Sequence, residues 1–190
     1  DIKEDPQGNV WFATQGDGLW RLDKNNVWKQ YKHVENDSTS LVSDQVNCLA
    51  IGEKGQLYAA TSEGLCEFLP SKGIFRRISI DAPSQDFTSL VISQGVMWIS
   101  TSKGIVKYTP GEPVQLFNKY DGLTCDQFMP NAGLLASDGR IYFGSTRGFN
   151  CFYPYLVKIN QVAPPVAITS VELFGQPIEA GSDQLEKSLS

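Results

Sequence analysis

Histidine occurs once in the 190 residues, as His33 on a polar stretch, so a Ser-His-Asp arrangement would hang on a single loop side chain. Neither an H-E-x-x-H pair, a P-loop nor a G-x-G-x-x-G run is present, which removes the usual signatures of zinc peptidases, phosphate cradles and dinucleotide sites. The four cysteines, Cys48, Cys66, Cys125 and Cys151, have no C-x-x-C spacing. They read as small buried thiols, with a disulfide in an oxidising compartment left open. No metal and no cofactor is expected. No apolar run approaches the roughly 20 residues that a membrane helix needs, and no charged start leads into a signal-like apolar segment. Sixteen Lys and Arg against 21 Asp and Glu give a formal net charge of -5. The basic residues are scattered, so no nucleic-acid partner is expected, because phosphate binding needs a concentrated basic surface. Helical periodicity is almost missing as well.

What the chain does contain is one phrase written four times. "GNVWFATQGDGLWRLD" from Gly8 returns as "GQLYAATSEGLCEFLP" from Gly55, "GVMWISTSKGIVKYTP" from Gly95 and "GRIYFGSTRGFNCFYP" from Gly139. The four glycines are 47, 40 and 44 residues apart, a period that suits a four-stranded propeller blade. Aligned columns follow each glycine. An aromatic column holds Trp11, Tyr58, Trp98 and Tyr142; two residues on, a small column holds Ala13, Ala60, Ser100 and Gly144; then come Thr14, Thr61, Thr101 and Ser145. An apolar run without polar alternation predicts a strand covered on both faces, as stacked blades require. With side chains alternating, the aromatic and small columns share a face, and a ring of one blade is expected to lie against the small column of its neighbour.

Each phrase turns through "QGDG", "SEG", "SKG" or "TRG" into a second strand, which predicts a hairpin. A preceding strand ("VNCLAI", "FTSLVI", "FMPNAGLLA") and a more polar following one ("VWKQYK", "IFRRISI", "VQLFNKY") complete the blade. The first unit is expected to lack its inner strand. Units fall near 1–45, 46–86, 87–127 and 128–160. The opening "DIKEDPQG" and the closing "DQLEKSLS" both read as cut, as if the chain were excised from a larger protein.

These residues resemble the two-component regulator propeller repeats in the periplasmic half of hybrid histidine-kinase sensors of polysaccharide-degrading Gram-negative bacteria. The resemblance is carried by "EDPQGNVWFATQGDGLWRLD", by "YKHVENDSTSLVSDQVNCL" and above all by "YDGLTCDQFMPNAGLLASDGRIYFGSTRGFNCFYP", which is similar to the family's closing blade. It implies an all-β chain: residues 1–160 as about four antiparallel blades at the C-terminal part of a propeller. Residues 161–190 would be a linker, stiffened at Pro164 and Pro165, and the truncated start of the tyrosine-rich, immunoglobulin-like sandwich that follows such propellers. It also implies a parent that sits in the inner membrane, senses an oligosaccharide as a homodimer and controls polysaccharide-use genes through a kinase elsewhere in the chain. The fragment itself would be no enzyme and would hold no membrane segment. A propeller-fold polysaccharide lyase or glycosidase, and a secreted interaction scaffold, are the alternatives.

In an up-and-down blade, the links from strand two to three emerge on the same face as the connectors between blades. That gathers Asp17, Glu63, Lys103 and Arg147 beside connectors 32–45, 81–86 and 119–127, the expected ligand face. Their mixed charge suits a recognition surface as well as solvated loop tips. Trp20, with no aromatic counterpart in every other unit, is a candidate sugar platform or a packing residue. Asp44, Asp86 and Asp126 recur just ahead of the inner strands, where a backbone-binding role is favoured over ligand contact or catalysis.

Overall fold

The computed structural model describes residues 1–157 and two short strands beyond them, Glu172–Leu173 and Gln176–Pro177. The chain divides into two units, Asp1–Val157 and Lys158–Ser190. The expected start of a sandwich falls in the second unit, where the described residues are only the antiparallel pair Glu172–Leu173 and Gln176–Pro177; the rest of that expectation lies outside the described residues.

Residues 1–157 form four antiparallel sheets arranged as propeller blades. The first contains β1 (Ile2–Glu4), β2 (Val10–Ala13), β3 (Leu19–Leu22) and β4 (Trp28–Tyr31). The second contains β5 (Val46–Ile51), β6 (Leu57–Thr61), β7 (Gly64–Leu69) and β8 (Ile74–Ile78). The third contains β9 (Phe87–Ser93), β10 (Val96–Thr101), β11 (Gly104–Tyr108) and β12 (Gln115–Phe117), and the fourth β13 (Phe128–Leu135), β14 (Ile141–Ser145) and β15 (Gly148–Phe152). In every sheet the strands lie in chain order.

Two expectations change. The first blade does have an inner strand: Ile2, Lys3 and Glu4 pair with Phe12, Trp11 and Val10. Among the described residues the fourth has three strands; after β15 the chain turns through Pro154–Leu156 in a short 3-10 segment. Proline fits the first turn there, since its missing N–H has no partner to lose.

Consecutive inner strands are stitched by side chains. The Asp1 carboxylate accepts the Leu49 N–H at 2.9 Å, Asn47 Nδ2 donates to the Phe87 carbonyl at 2.9 Å, and Ser89 Oγ accepts the Ala132 N–H at 2.7 Å. These bonds use the inner strands' unpaired edges, which would otherwise be costly to bury.

The core is a series of seams between blades. Trp11 packs with Leu57, Ala59 and Phe68; Tyr58 and Ala60 belong with Met97 and Ile99; and Trp98 belongs with Ile141 and Phe143. The aromatic and small columns do share a face. That face meets the alternate columns of the next blade, Leu57 and Ala59 or their equivalents, and not its small column as the sequence suggests. The reason is parity: a blade that turns its aromatic face to one neighbour can only turn its other face to the next.

Candidate functional site

The Thr/Ser column sets the backbone of every candidate tip. Thr14 Oγ1 donates to the Gly18 carbonyl at 2.8 Å, Thr61 Oγ1 to Gly64 at 2.9 Å, Thr101 Oγ1 to Gly104 at 3.0 Å and Ser145 Oγ to Gly148 at 3.0 Å. The same oxygens accept a backbone N–H from each tip: Asp17 at 3.1 Å, Glu63 at 3.1 Å, Lys103 at 2.9 Å and Arg147 at 3.4 Å. One hydroxyl thus holds both sides of each hairpin link, a local bonding pattern available to Ser and Thr. All four tip side chains are exposed.

The connectors meet these tips. The Asp44 carbonyl accepts the N–H groups of Gly16 and Gly18 at 3.2 and 2.9 Å, and the Asp126 carbonyl accepts that of Gly104 at 2.8 Å. The Asp44 and Asp126 carboxylates accept the N–H groups of His33 and Lys119, each at 2.7 Å, just past the outer strands β4 and β12. Asp86 is placed differently, with Asn47 Nδ2 donating to it at 3.4 Å. Asp44 and Asp126 therefore tie connector to blade, and their carboxylates are committed to backbone. His33 Nδ1 lies 2.9 Å from the Leu41 carbonyl and so serves the same connector.

The side chains of the tips fall into separate surroundings. Asp17 is ion-paired to Lys32 at 2.7 Å and accepts Trp20 Nε1 at 3.2 Å. The hydrogen bond from Lys32 and then that from Trp20 hold the Asp17 carboxyl below its ordinary range. Trp20 stands edge-on to Trp28, with ring centroids 6.2 Å apart, and is half-buried. Glu63 accepts from Ser43 Oγ at 3.3 Å.

Lys103 and Arg147 are brought together. They line an open groove of about 650 Å³ between the third and fourth blades, together with Lys119, Tyr120, Asp126 and Gln127. Lys119 and Tyr120 are functional candidates that the repeat columns do not reveal. They sit on a 3-10 turn, Lys119–Asp121, capped by Asn118, whose side chain accepts the Tyr120 N–H at 2.8 Å while Asp121 accepts the Asn118 N–H at 2.9 Å. The turn leaves the Tyr120 ring 86% exposed, with Lys119 Nζ 5.0 Å from its centroid. Cys125 also lines the groove. Desolvation pushes its thiol up, but hydrogen bonds with Ser145, Thr146 and nearby backbone outweigh that and leave it below the ordinary range. Cys48, by contrast, is pushed up to about 12 by burial.

A smaller, mostly apolar cavity of about 200 Å³ lies between the same blades, among Trp98, Ile105, Phe117, Leu123 and Phe152. Among the described residues no three His, Cys, Asp or Glu side chains gather as a metal site would need, and no helix is long and apolar enough to cross a membrane.

No protein-family model matches the chain. Histidine kinase P4 of Formosa agariphila is 27% identical over 89 residues, a match that takes in 46% of the chain and 6% of the kinase. Among solved structures, the extracellular domain assigned to the hybrid two component system BT3049 of B. thetaiotaomicron superposes with a TM-score of 0.70 at 23% identity, over 95% of the chain and 26% of that domain. That of BT4673 from the same organism gives 0.62 at 20% identity, over 94% and 23%. The chain therefore spans about a quarter of each of these domains, and at such identities the likeness shows the shared fold. In its run of blades the chain resembles the extracellular sensor domains of hybrid two-component histidine kinases.

Proposed function

We propose that this chain is a ligand-sensing part of the periplasmic region of a membrane-bound hybrid two-component histidine kinase, and that its ligand is an oligosaccharide. The observation that carries this reading is the loop-rich face, where four hairpin tips with fixed backbones and exposed side chains stand beside long connectors. Propeller loops of this kind vary in chemistry without disturbing the blades beneath them. The likeness to sensor domains of hybrid systems supports placing the chain in such a protein.

In this reading the fragment does no phosphotransfer. Ligand shifts the balance between two arrangements of an ectodomain homodimer, and can do so only by the difference in its affinity for them. A kinase elsewhere in the protein passes the change on to genes for polysaccharide use.

A thermal-shift screen of the protein against defined oligosaccharides, with product analysis of each mixture, tests the reading. A ligand at about 100 times its Kd stabilises the folded state by about 2.7 kcal/mol. One sugar class that stabilises and is recovered intact is the expected result. Cleaved sugar would transfer the assignment to a propeller lyase or glycosidase, and no shift across the panel would replace it with an interaction scaffold.

A further inference from the structure

The four hairpin tips divide by charge, acidic at Asp17 and Glu63 on the first two blades and basic at Lys103 and Arg147 on the last two. The groove between the third and fourth blades collects Lys103, Lys119 and Arg147 against one carboxylate, Asp126, in a chain whose formal net charge is -5. Among the described residues none of these three cations is in an ion pair, whereas Lys32 on the acidic side is paired to Asp17. Asp126 does not neutralise them, since it brings a single negative charge against three cations. A concave surface with an excess of unpaired cations concentrates anions, against the repulsion of the rest of the molecule.

The remaining lining is suited to a sugar. Asn118, Gln127 and Thr146 offer neutral donors and acceptors, and the Tyr120 ring offers an exposed apolar face at the groove. Such a mixture, a flat aromatic surface with a few polar groups, orients a ligand that is itself part apolar and part hydroxylated.

We propose that this groove binds the acidic units of an oligosaccharide, sugars that carry carboxylate or sulfate groups; the proposal rests on the oligosaccharide-sensing reading above. The Arg147 guanidinium supplies the planar fork that matches either oxyanion, and Lys103 and Lys119 act as point charges beside it.

The test titrates the protein with two matched pairs of probes. The first is tetragalacturonate and its neutral methyl ester; the second is a carrageenan tetrasaccharide with sulfate as its only charge and its desulfated form. At least one charged probe is expected to bind tenfold or more tightly than its neutral partner and to weaken as salt is raised, and the pair that responds tells carboxylate from sulfate recognition. The double variant Lys103→Gln/Arg147→Gln should lower that affinity about tenfold with its Tm unchanged, while Lys54→Gln, on the β5–β6 link, should leave it unaltered. Bound probe should also slow alkylation of Cys125, which lines the groove. Equal binding of charged and neutral partners would overturn the anion selectivity and leave the sensing reading intact. A neutral oligosaccharide that stabilises the protein, with all four probes inert, would overturn the groove assignment alone; failure of every sugar would overturn both.

Discussion

Two seams of the propeller are built on the same plan and finished differently. Between the first and second blades, Trp11 stacks on Tyr31 of its own outer strand, meets Phe68 of the next blade edge-on with centroids 4.7 Å apart, and has Arg21 over its ring. Between the third and fourth, Trp98 stacks on Phe117, meets Phe152 at a tilt with centroids 4.9 Å apart, and has Lys107 over its ring. The differences lie at the two ends of the ring. Trp11 Nε1 donates to the buried Asp5 carboxylate at 2.8 Å, whereas Trp98 Nε1 is buried without a hydrogen-bond partner among the described residues. Phe75 of β8 closes the first seam against Tyr31 and Phe68; among the described residues the fourth blade has no outer strand, and the cavity of about 200 Å³ borders Phe117 and Phe152. Duplicated packing thus survives without duplicated polar partners, because aromatic contact is tolerant in direction while a hydrogen bond is not.

The largest test of this contrast is to delete each ring. Trp11→Ala should cost about 3–5 kcal/mol, as truncating a fully packed aromatic does, and Trp98→Ala should fall at or below the lower end because part of its surroundings is already empty. Urea denaturation of both variants reads the difference, and equal losses would mean that the two seams are energetically alike.

Next in size is the polar clamp. Asp5 accepts from the Gln7 and Asn9 backbones, from Asn9 Nδ2 and from Trp11 Nε1. Burial pushes its carboxyl up, but the bonds from Trp11 and Asn9 prevail and hold it below the ordinary range. Asp5→Ala should cost about 2–3 kcal/mol by leaving those donors unpaired. A carboxyl lowered in the folded state adds stability that is present above its unfolded value near about 4 and is lost as pH falls through the folded value. Acid unfolding of the variant should therefore be less steep over that window; an unchanged slope would show that Asp5 is not a source of it.

A third comparison concerns the outer strand. A side chain at Gly104 (φ 118°) would run into the Phe117 carbonyl of β12, while at Gly148 (φ 113°) it would meet nothing, since among the described residues no strand pairs with the outer edge of β15. Gly104→Ala should destabilise by about 1–2 kcal/mol more than Gly148→Ala, the backbone strain being common to both. Calorimetry that ranks them equally would place a further strand on β15. The smallest expected effect is a gain: Leu123→Phe, which extends into the Trp98 cavity, should add about 0.5–1 kcal/mol to chemical stability, and a loss instead would mark the space as too narrow.

The blades are legible in the sequence because their signal repeats. Each strand of the kind "LYAAT" or "MWIST" is buried on both faces and so reads as apolar without alternation, and four aligned copies make the turns between them visible. Ile2–Glu4 is not legible, since three exposed residues with two charges declare a strand only through their pairing with Val10–Phe12. The Thr/Ser column is visible as a column, but its double role depends on where the hairpin places the glycine carbonyl and the tip N–H, which no spacing records. The groove is harder still. Lys103 and Arg147 belong to the repeat and are found by it, while Lys119 and Tyr120 sit on a turn that occurs once, where there is no column to compare.

The hydroxyl that anchors each hairpin link has a consequence for how such a protein changes over time. At Lys103 and Arg147 the anchoring bond takes only the tip residue's main chain, and the anchor lies on a different residue, two positions earlier. A substitution at such a tip therefore changes the charge of the face without taxing the fold, so the same scaffold can be altered one position at a time. The run from Asp to Glu to Lys to Arg around the face fits an anchor that makes no demand on the charge of the residue it holds.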